Sequence, residues 1–93
     1  MTYRVIQWAT GGVGRAAIEG MLDHPDLEVV GAWVHGESKD GVDLGTLVGR
    51  DPIGVTATRD VDALLALAAD CVVYAPIFAD PSVVERILRS GKN

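Results

Sequence analysis

Residues 5–15 read VIQWATGGVGR, an apolar run that leads into a glycine cluster. The run has the length of a β-strand, and from Val13 onward the apolar residues recur with the period of a helix. Glycines between a strand and a helix at the start of a βαβ unit are the context that the dinucleotide-binding fingerprint G-x-G-x-x-G requires. Gly11 and Gly14 occupy its second and third glycine positions, and Ala9 occupies the first. The segment therefore predicts a phosphate-binding turn in which Ala9 has extended φ and ψ.

A glycine-rich turn suits a phosphate because the bare backbone can come close to it. The charge of a pyrophosphate is then met by free N–H groups and by the positive end of the helix dipole. The residues predicted to form this site are Thr10, Gly11, Gly12, Val13, Gly14 and Arg15. Two simpler interpretations stay open. The turn could connect strand and helix without a ligand, and Arg15 could be a solvated side chain paired with Glu19 one helical turn away.

Beyond the first turn, apolar runs of strand length alternate with helical patterns, which indicates βαβ units and a parallel sheet. The predicted strands are residues 5–9, 27–34, 54–57 and 71–75, and helices are predicted over 13–21, around 42–48, and after the N-caps Asp60 and Asp80. Each helix is predicted to turn one apolar stripe inward: Val13, Ala16, Ala17, Gly20 and Met21 in the first, Val61, Leu64, Leu65 and Ala68 after Asp60, and Val83, Val84, Ile87 and Leu88 after Asp80. The fold class is therefore α/β, a truncated Rossmann-type doubly wound parallel sheet with strand order 3-2-1-4.

Composition limits the possible functions. The chain has 93 residues, and we expect residues 1–93 to form one dinucleotide-binding domain, the N-terminal part of a longer two-domain oxidoreductase. Eight lysines and arginines against 13 aspartates and glutamates give a net charge of −5, which argues against a nucleic-acid partner. The single cysteine, Cys71, excludes an internal disulfide and favours a cytoplasmic protein. No uncharged run approaches the roughly 18–20 apolar residues that span a bilayer, so no membrane partner is expected.

The end of the second strand bears on the choice of cofactor. About 20 residues after the glycines, such domains usually carry an Asp or Glu that accepts hydrogen bonds from the adenosine ribose. Here the strand ends in residues 33–36, WVHG, without a carboxylate. Three residues of the loop could together hold a 2′-phosphate: His35, Ser38 and Lys39. The sequence thus favours NADP over NAD, whereas Glu37 and Asp40 in the same loop could reach the ribose and favour NAD.

The carboxyl end of the fourth strand lies on the ligand side of an open α/β sheet. Ala75 and Pro76 are therefore candidates for contact with the nicotinamide ribose, although a plain strand end and turn explains them equally well. Cys71 lies near the opposite end of that strand, where burial is favoured over a catalytic role. The carboxylates and histidines form no acid–base dyad and no metal-ligand pair in the sequence. Neither a catalytic residue nor a metal ligand is predicted.

Three segments also resemble a known family. Residues 5–15, 30–35 (VGAWVH) and 90–93 (SGKN) are similar to the N-terminal NADP-binding domain of actinobacterial dihydrodipicolinate-reductase-like proteins, which include 2,4-diaminopentanoate dehydrogenase and native amine dehydrogenases. The reductase fingerprint is G-x-x-G-x-x-G followed by Arg, and Trp8 replaces its first glycine here, which favours the amine-dehydrogenase-like branch. The resemblance implies that residues 10–13 cradle the pyrophosphate and that the loop after the second strand faces the 2′-phosphate. It also implies that the substrate pocket and catalytic carboxylate belong to segments outside this chain.

Residues and resemblance together lead to one functional hypothesis. The chain is expected to be the NADP(H)-binding domain of an oxidoreductase that transfers hydride between nicotinamide and an amine, imine or related carbonyl substrate, and to be inactive alone. The alternatives are a nucleotide-binding or regulatory module without catalysis, and a Rossmann-type domain for S-adenosylmethionine or a flavin dinucleotide. The uncharged fourth strand is expected at the edge of the sheet, where it would join copies of the chain into a homo-oligomer.

Overall fold

The computed structural model describes residues 2–75 and 80–92. These residues form one parallel sheet with the strand order β3-β2-β1-β4. The strands are β1 (Tyr3–Trp8), β2 (Leu27–Trp33), β3 (Ala57–Thr58) and β4 (Cys71–Tyr74). β1 pairs in parallel with β2 on one side and with β4 on the other. The predicted fold class and strand order are confirmed.

The helices of the described residues are α1 (Gly12–Leu22), α2 (Leu44–Leu47), α3 (Val61–Leu65) and α4 (Pro81–Arg89), and a 3-10 turn over Glu37–Lys39 follows β2. Aspartate side chains cap three of them. Asp43 caps α2, Asp60 caps α3 and Asp80 caps α4, each by accepting a backbone N–H of the first turn. The predicted caps Asp60 and Asp80 are confirmed, and Gly91 follows α4 with a φ of +85°. In the part of the chain that is described, no helix is long and apolar enough to cross a membrane.

Apolar side chains of β1 pack on both faces of the sheet, because successive residues of a strand point to opposite sides. Val5 belongs to the larger cluster, whose buried members are Val5, Ile18, Met21, Val29, Ala32, Val34, Leu44, Val48 and Ala57. Ile6 and Trp8 belong to a second cluster with Leu64 of α3 and Ile87 of α4. Helices α1 and α2 therefore cover one face and α3 and α4 the other, the two-sided burial that apolar parallel strands require.

The predicted buried side of α1 is confirmed at Met21 and wrong at Ala16 and Gly20. Ala16 and Gly20 are exposed, whereas Ile18 is completely buried. The face that packs on the sheet is formed by Gly14, Ile18 and Met21, spaced four and three residues apart. Small residues lie on both sides of this helix, so the hydrophobic pattern fits two rotations. Ile18 decides between them because it buries the larger apolar area.

Three further expectations are wrong because the elements are shorter or rotated. Leu88 is 63% exposed, since α4 presents Ile87 to the sheet. Ala68 is exposed because α3 ends before it. β3 comprises Ala57 and Thr58 instead of residues 54–57, since only these two residues pair with β2.

Candidate functional site

The chain leaves the sheet at Ala9, between β1 and α1. Ala9 has a φ of +79°, in the left-handed region, which contradicts the predicted extended backbone. Hydrogen bonds on both sides of the residue explain this. The Ala9 N–H donates to the Trp33 carbonyl at 2.9 Å, and the Ala9 carbonyl accepts from Gln7 Nε2 at 3.1 Å. Ala9 thus adopts the conformation that a glycine would take at this fingerprint position, at a cost of about 1–2 kcal/mol.

Gln7 supports this turn from within the sheet, although it was not among the predicted site residues. Its side chain is completely buried, and its amide N–H group holds the carbonyl of Ala9. A buried polar side chain needs such a partner. The available signal in the sequence was a glutamine inside an otherwise apolar strand, four residues before the first glycine of the cluster, Gly11.

The two fingerprint glycines have different surroundings. A Cβ atom on Gly14 would lie 2.2 Å from the carbonyl oxygen of Ala9 and 2.9 Å from its carbonyl carbon, far inside van der Waals contact. A Cβ atom on Gly11 would meet no atom within 4 Å beyond its chain neighbours, and Gly11 is exposed. Close contact between helix and turn therefore explains the glycine at position 14. The surrounding protein does not explain the one at position 11.

Helix α1 begins at Gly12 with an open N-terminus. Its N-cap residue, Gly11, provides no side-chain acceptor, and its first turn contains no acidic residue. The Arg15 N–H donates to the Gly11 carbonyl at 2.8 Å, so the N–H groups between them have no partner within the helix. Thr10 is buried at the start of this turn and Arg15 is exposed. The alternative pairing of Arg15 with Glu19 is not found among the ion pairs of the described residues.

The loop after β2 carries the residues predicted to hold a 2′-phosphate. His35 is exposed, and its ring centroid lies 5.9 Å from that of Trp33. Ser38 and Lys39 belong to the 3-10 turn, where Ser38 is exposed and Lys39 is half-buried. All three residues thus lie on one loop at the carboxyl end of the sheet.

Arg59 is a residue of this region that the sequence analysis missed. It follows β3 directly, its backbone N–H donates to Asp40 Oδ1 at 3.2 Å, and its Nη1 lies 3.4 Å from Glu37 Oε1. Both carboxylates of the loop are therefore engaged by one arginine. Arg59 is 22 residues from Glu37 in sequence, and the pairing of β2 with β3, in which Trp33 lies opposite Thr58, brings the two together.

The tips of β1 and β4 are adjacent. The Ala75 N–H donates to the Trp8 carbonyl at 3.0 Å, which places Ala75 beside the turn that follows β1. Pro76, the other residue predicted for this end, lies outside the described residues. Trp8, which replaces the first glycine of the reductase fingerprint, is 2% exposed and stacks on Trp33 with ring centroids 5.7 Å apart. The Trp8 side chain is thus a core side chain.

Structural contacts explain the shifted pKa values among the described residues. A hydrogen bond from the backbone N–H of Ile53, assisted by others nearby, lowers the pKa of Asp43. Hydrogen bonds from the hydroxyl and backbone of Ser82 lower the pKa of Asp80. Burial raises the pKa of the Cys71 thiol, which keeps it protonated and argues against a nucleophile. The described residues also contain no cluster of His, Cys, Asp or Glu that could hold a metal ion.

Comparison with known proteins agrees with this geometry. A family model described as "Dihydrodipicolinate reductase, N-terminus" matches residues 5–90. An amine dehydrogenase of Streptomyces virginiae is 44% identical over 92 residues, covering 92% of this chain and 26% of that protein. A 4-hydroxy-tetrahydrodipicolinate reductase of Synechocystis sp. is 35% identical over 89 residues, covering 94% of this chain and 32% of that protein. The solved structure of an amine dehydrogenase from Mycobacterium smegmatis matches with a TM-score of 0.72 and 28% identity, over 82% of this chain and 23% of that one.

The chain therefore spans 26% and 32% of the lengths of these two curated relatives. The match to residues 5–90 includes the turn after β1, the loop after β2 and the tips of β3 and β4. The resemblance expected from the sequence is confirmed. This chain belongs to the family of dihydrodipicolinate reductase N-terminal domains.

Proposed function

We propose that this chain binds NADP(H) as the cofactor-binding part of an oxidoreductase acting on an amine, an imine or a related carbonyl compound. When bound, the nicotinamide would supply the donor or acceptor of the hydride. The observation that carries the proposal is the contrast between Gly14, whose hydrogen faces the Ala9 carbonyl, and Gly11, whose missing side chain leaves open space. Family membership and the two relatives named amine dehydrogenase support the type of reaction.

The turn between β1 and α1 would hold the pyrophosphate. Gly11 leaves room for backbone approach, and the N–H groups of Gly12 and Val13 lie at the positive end of α1. Arg15 places a cation at a helix end where a cation alone is unfavourable. A bound phosphate would reverse that effect. Thr10 is buried at the start of the turn, and its packing would keep the backbone of the turn in position.

The loop after β2 supports NADP as the preferred cofactor over NAD. The tip of β2 carries no carboxylate, and Glu37 and Asp40 are both engaged by Arg59. Each carboxylate thus already accepts one hydrogen bond, which makes it a weaker competitor for the ribose hydroxyls on which NAD binding depends. The residues proposed to face the 2′-phosphate are His35, Ser38 and Lys39.

Two further assignments extend the proposal to the β4 end of the sheet. Ala75 and Pro76 are proposed to contact the nicotinamide ribose, which is supported for Ala75 by its hydrogen bond to Trp8 beside the turn. We also propose that copies of the chain associate across the outer edge of β4.

Gly11→Val tests the proposed binding, with Gly20→Val as a matched control. Both glycines are exposed, neither has a positive φ, and a Cβ atom on either meets no atom within 4 Å. NADPH should raise the melting temperature of the wild-type chain more than NADH does at equal concentration. Ligand at a hundredfold excess over Kd stabilises the folded state by about 2.7 kcal/mol. Gly11→Val should lose this shift, and Gly20→Val should keep it.

Three outcomes would contradict parts of the proposal. A full shift in Gly11→Val would show that the turn is only a structural connection. A shift with NADH equal to or above that with NADPH would overturn the cofactor preference. A larger shift with S-adenosylmethionine or a flavin dinucleotide would show that the domain takes another adenine ligand.

A further inference from the structure

Arg59 lies where the tips of β2 and β3 meet. The two strands run parallel with Thr58 opposite Trp33, and the Val34 N–H donates to the Thr58 carbonyl at 3.0 Å. The next residue after Thr58 is Arg59, so its main chain borders the loop that leaves β2. In open α/β sheets, ligands bind outside the carboxyl ends of the strands. Arg59 is therefore on the ligand side of the sheet.

The main chain of Arg59 is anchored while its guanidinium is weakly held. The backbone N–H donates to Asp40 Oδ1 at 3.2 Å, which joins the loop to the end of β3. The guanidinium reaches Glu37 Oε1 at 3.4 Å through one nitrogen, and the two side chains are 45% and 88% exposed. Exposed ion pairs of this kind contribute little to stability. The guanidinium can thus exchange its partner without disturbing the loop.

A phosphate monoester is a stronger partner for this guanidinium than Glu37 is. It carries up to two negative charges, and a planar guanidinium binds phosphate oxygens in a bidentate manner. The loop itself contains Glu37 and Asp40, which would repel a phosphate unless a cation balanced them. The positively charged Arg59 guanidinium lies beside Glu37, so it can offset part of this repulsion while it binds the phosphate. Asp40 accepts a hydrogen bond from the uncharged backbone N–H of Arg59.

We propose that Arg59 determines the preference for a 2′-phosphorylated nucleotide, by exchanging Glu37 for the 2′-phosphate when the ligand binds. This inference rests on the proposed binding of NADP(H). It also assigns Glu37 a role, because the carboxylate competes with the phosphate for the guanidinium. Without Arg59, the same carboxylate becomes an acceptor for an unmodified ribose, and the preference should move towards NAD.

Arg59→Gln tests the inference through the binding of 2′,5′-ADP and 5′-AMP, which differ by the 2′-phosphate alone. In calorimetric titrations of the chain, Arg59→Gln should weaken binding of 2′,5′-ADP by about 10- to 100-fold, the effect of losing charge-assisted hydrogen bonds. Binding of 5′-AMP should be unchanged or tighter, because the released Glu37 carboxylate can accept a hydrogen bond from the ribose 2′-hydroxyl. Arg50→Gln is the matched control, since Arg50 is also exposed and pairs with Asp23 at 2.7 Å just beyond the other end of α1. It should bind both nucleotides as the wild type does.

Glu37→Gln provides a second, independent test, since it removes the competing carboxylate and should strengthen binding of 2′,5′-ADP. If the wild type binds 2′,5′-ADP no better than 5′-AMP, the proposed NADP preference is wrong and this inference falls with it. If the wild type prefers 2′,5′-ADP and Arg59→Gln keeps that preference, only the role of Arg59 is overturned. If Arg59→Gln fails to fold, Glu37→Gln decides, and unchanged or weaker binding of 2′,5′-ADP overturns the inference.

Discussion

At the scale of single residues, Gly14 is a position where the fold tolerates little change. A methyl group there would lie 2.2 Å from the carbonyl oxygen of Ala9, which is backbone held in place by Gln7. Gly14→Ala should therefore lower the free energy of unfolding by about 1–3 kcal/mol, the usual cost of overpacking. Gly20→Ala, on the exposed side of the same helix, should raise it by about 0.5–1 kcal/mol. Urea unfolding at constant m-value measures both, and a stable Gly14→Ala would contradict the close contact of helix and turn.

The same residues show what a sequence pattern can and cannot reveal. The role of Gly14 in close packing is predictable, because the fingerprint assigns it and the helix starts next to it. The left-handed backbone of Ala9 is not, since alanine rarely adopts it and the hydrogen bond that compensates comes from Gln7. Arg59 escapes detection because its partner Glu37 lies on a different element. Contacts made across the sheet require the strand order and register first.

At the scale of elements, Asp43 joins α2 to the segment that leads into β3. Its carboxylate accepts N–H groups from Gly45 at 2.8 Å, Ile53 at 2.9 Å and Gly54 at 2.8 Å. These bonds favour the charged form and hold the pKa of Asp43 below its usual value of 3.8. A carboxylate with a lowered pKa in the folded state stabilises that state above its unfolded pKa. The contribution disappears as the pH falls through the folded pKa.

Asp43→Asn should therefore lower the melting temperature at neutral pH, because an amide replaces the charged acceptor of three backbone donors. As the pH falls from 3.8 through the lowered pKa of Asp43 in the folded state, the melting temperatures of variant and wild type should converge. Asp51→Asn, at an exposed position of the segment between α2 and β3, serves as the control and should melt close to the wild type. A difference between Asp43→Asn and wild type that stays constant from neutral to acidic pH would contradict this explanation.

Element boundaries and helix rotations were harder to predict than the elements themselves. Caps at Asp60 and Asp80 are local features, and both are confirmed. The rotation of α1 depends on which side chain fills the space above the sheet. Ile18 fills that space, whereas the predicted stripe included Met21 correctly but also Ala16 and Gly20, and it left out Ile18. Hydrophobic periodicity is weakly informative where alanine and glycine occupy several faces of one helix.

At the scale of the whole molecule, β4 is the strand whose edge invites association. Among the described residues it pairs with β1 on one side and with no strand on the other. Its residues Cys71–Tyr74 are half-buried and uncharged, and valine and tyrosine have high β-propensity. The Ala75 N–H points towards β1, where it meets the Trp8 carbonyl. Since the N–H groups of successive residues point to opposite edges of a strand, the N–H of Val72 points away from β1, to the edge where no described strand pairs with β4.

We therefore expect the chain to form homo-oligomers through this edge, and light scattering at millimolar concentration should give a mass above the 9.8 kDa of one chain. Val72→Pro should shift the population towards monomer, because it removes an outward donor and spares the bonds to β1. Val72→Thr has a similar shape and keeps the N–H, so it should associate as the wild type does. Melting curves establish that each variant is folded. A wild-type chain that stays at 9.8 kDa, or a Val72→Pro variant with undiminished mass, would show that copies do not meet across β4.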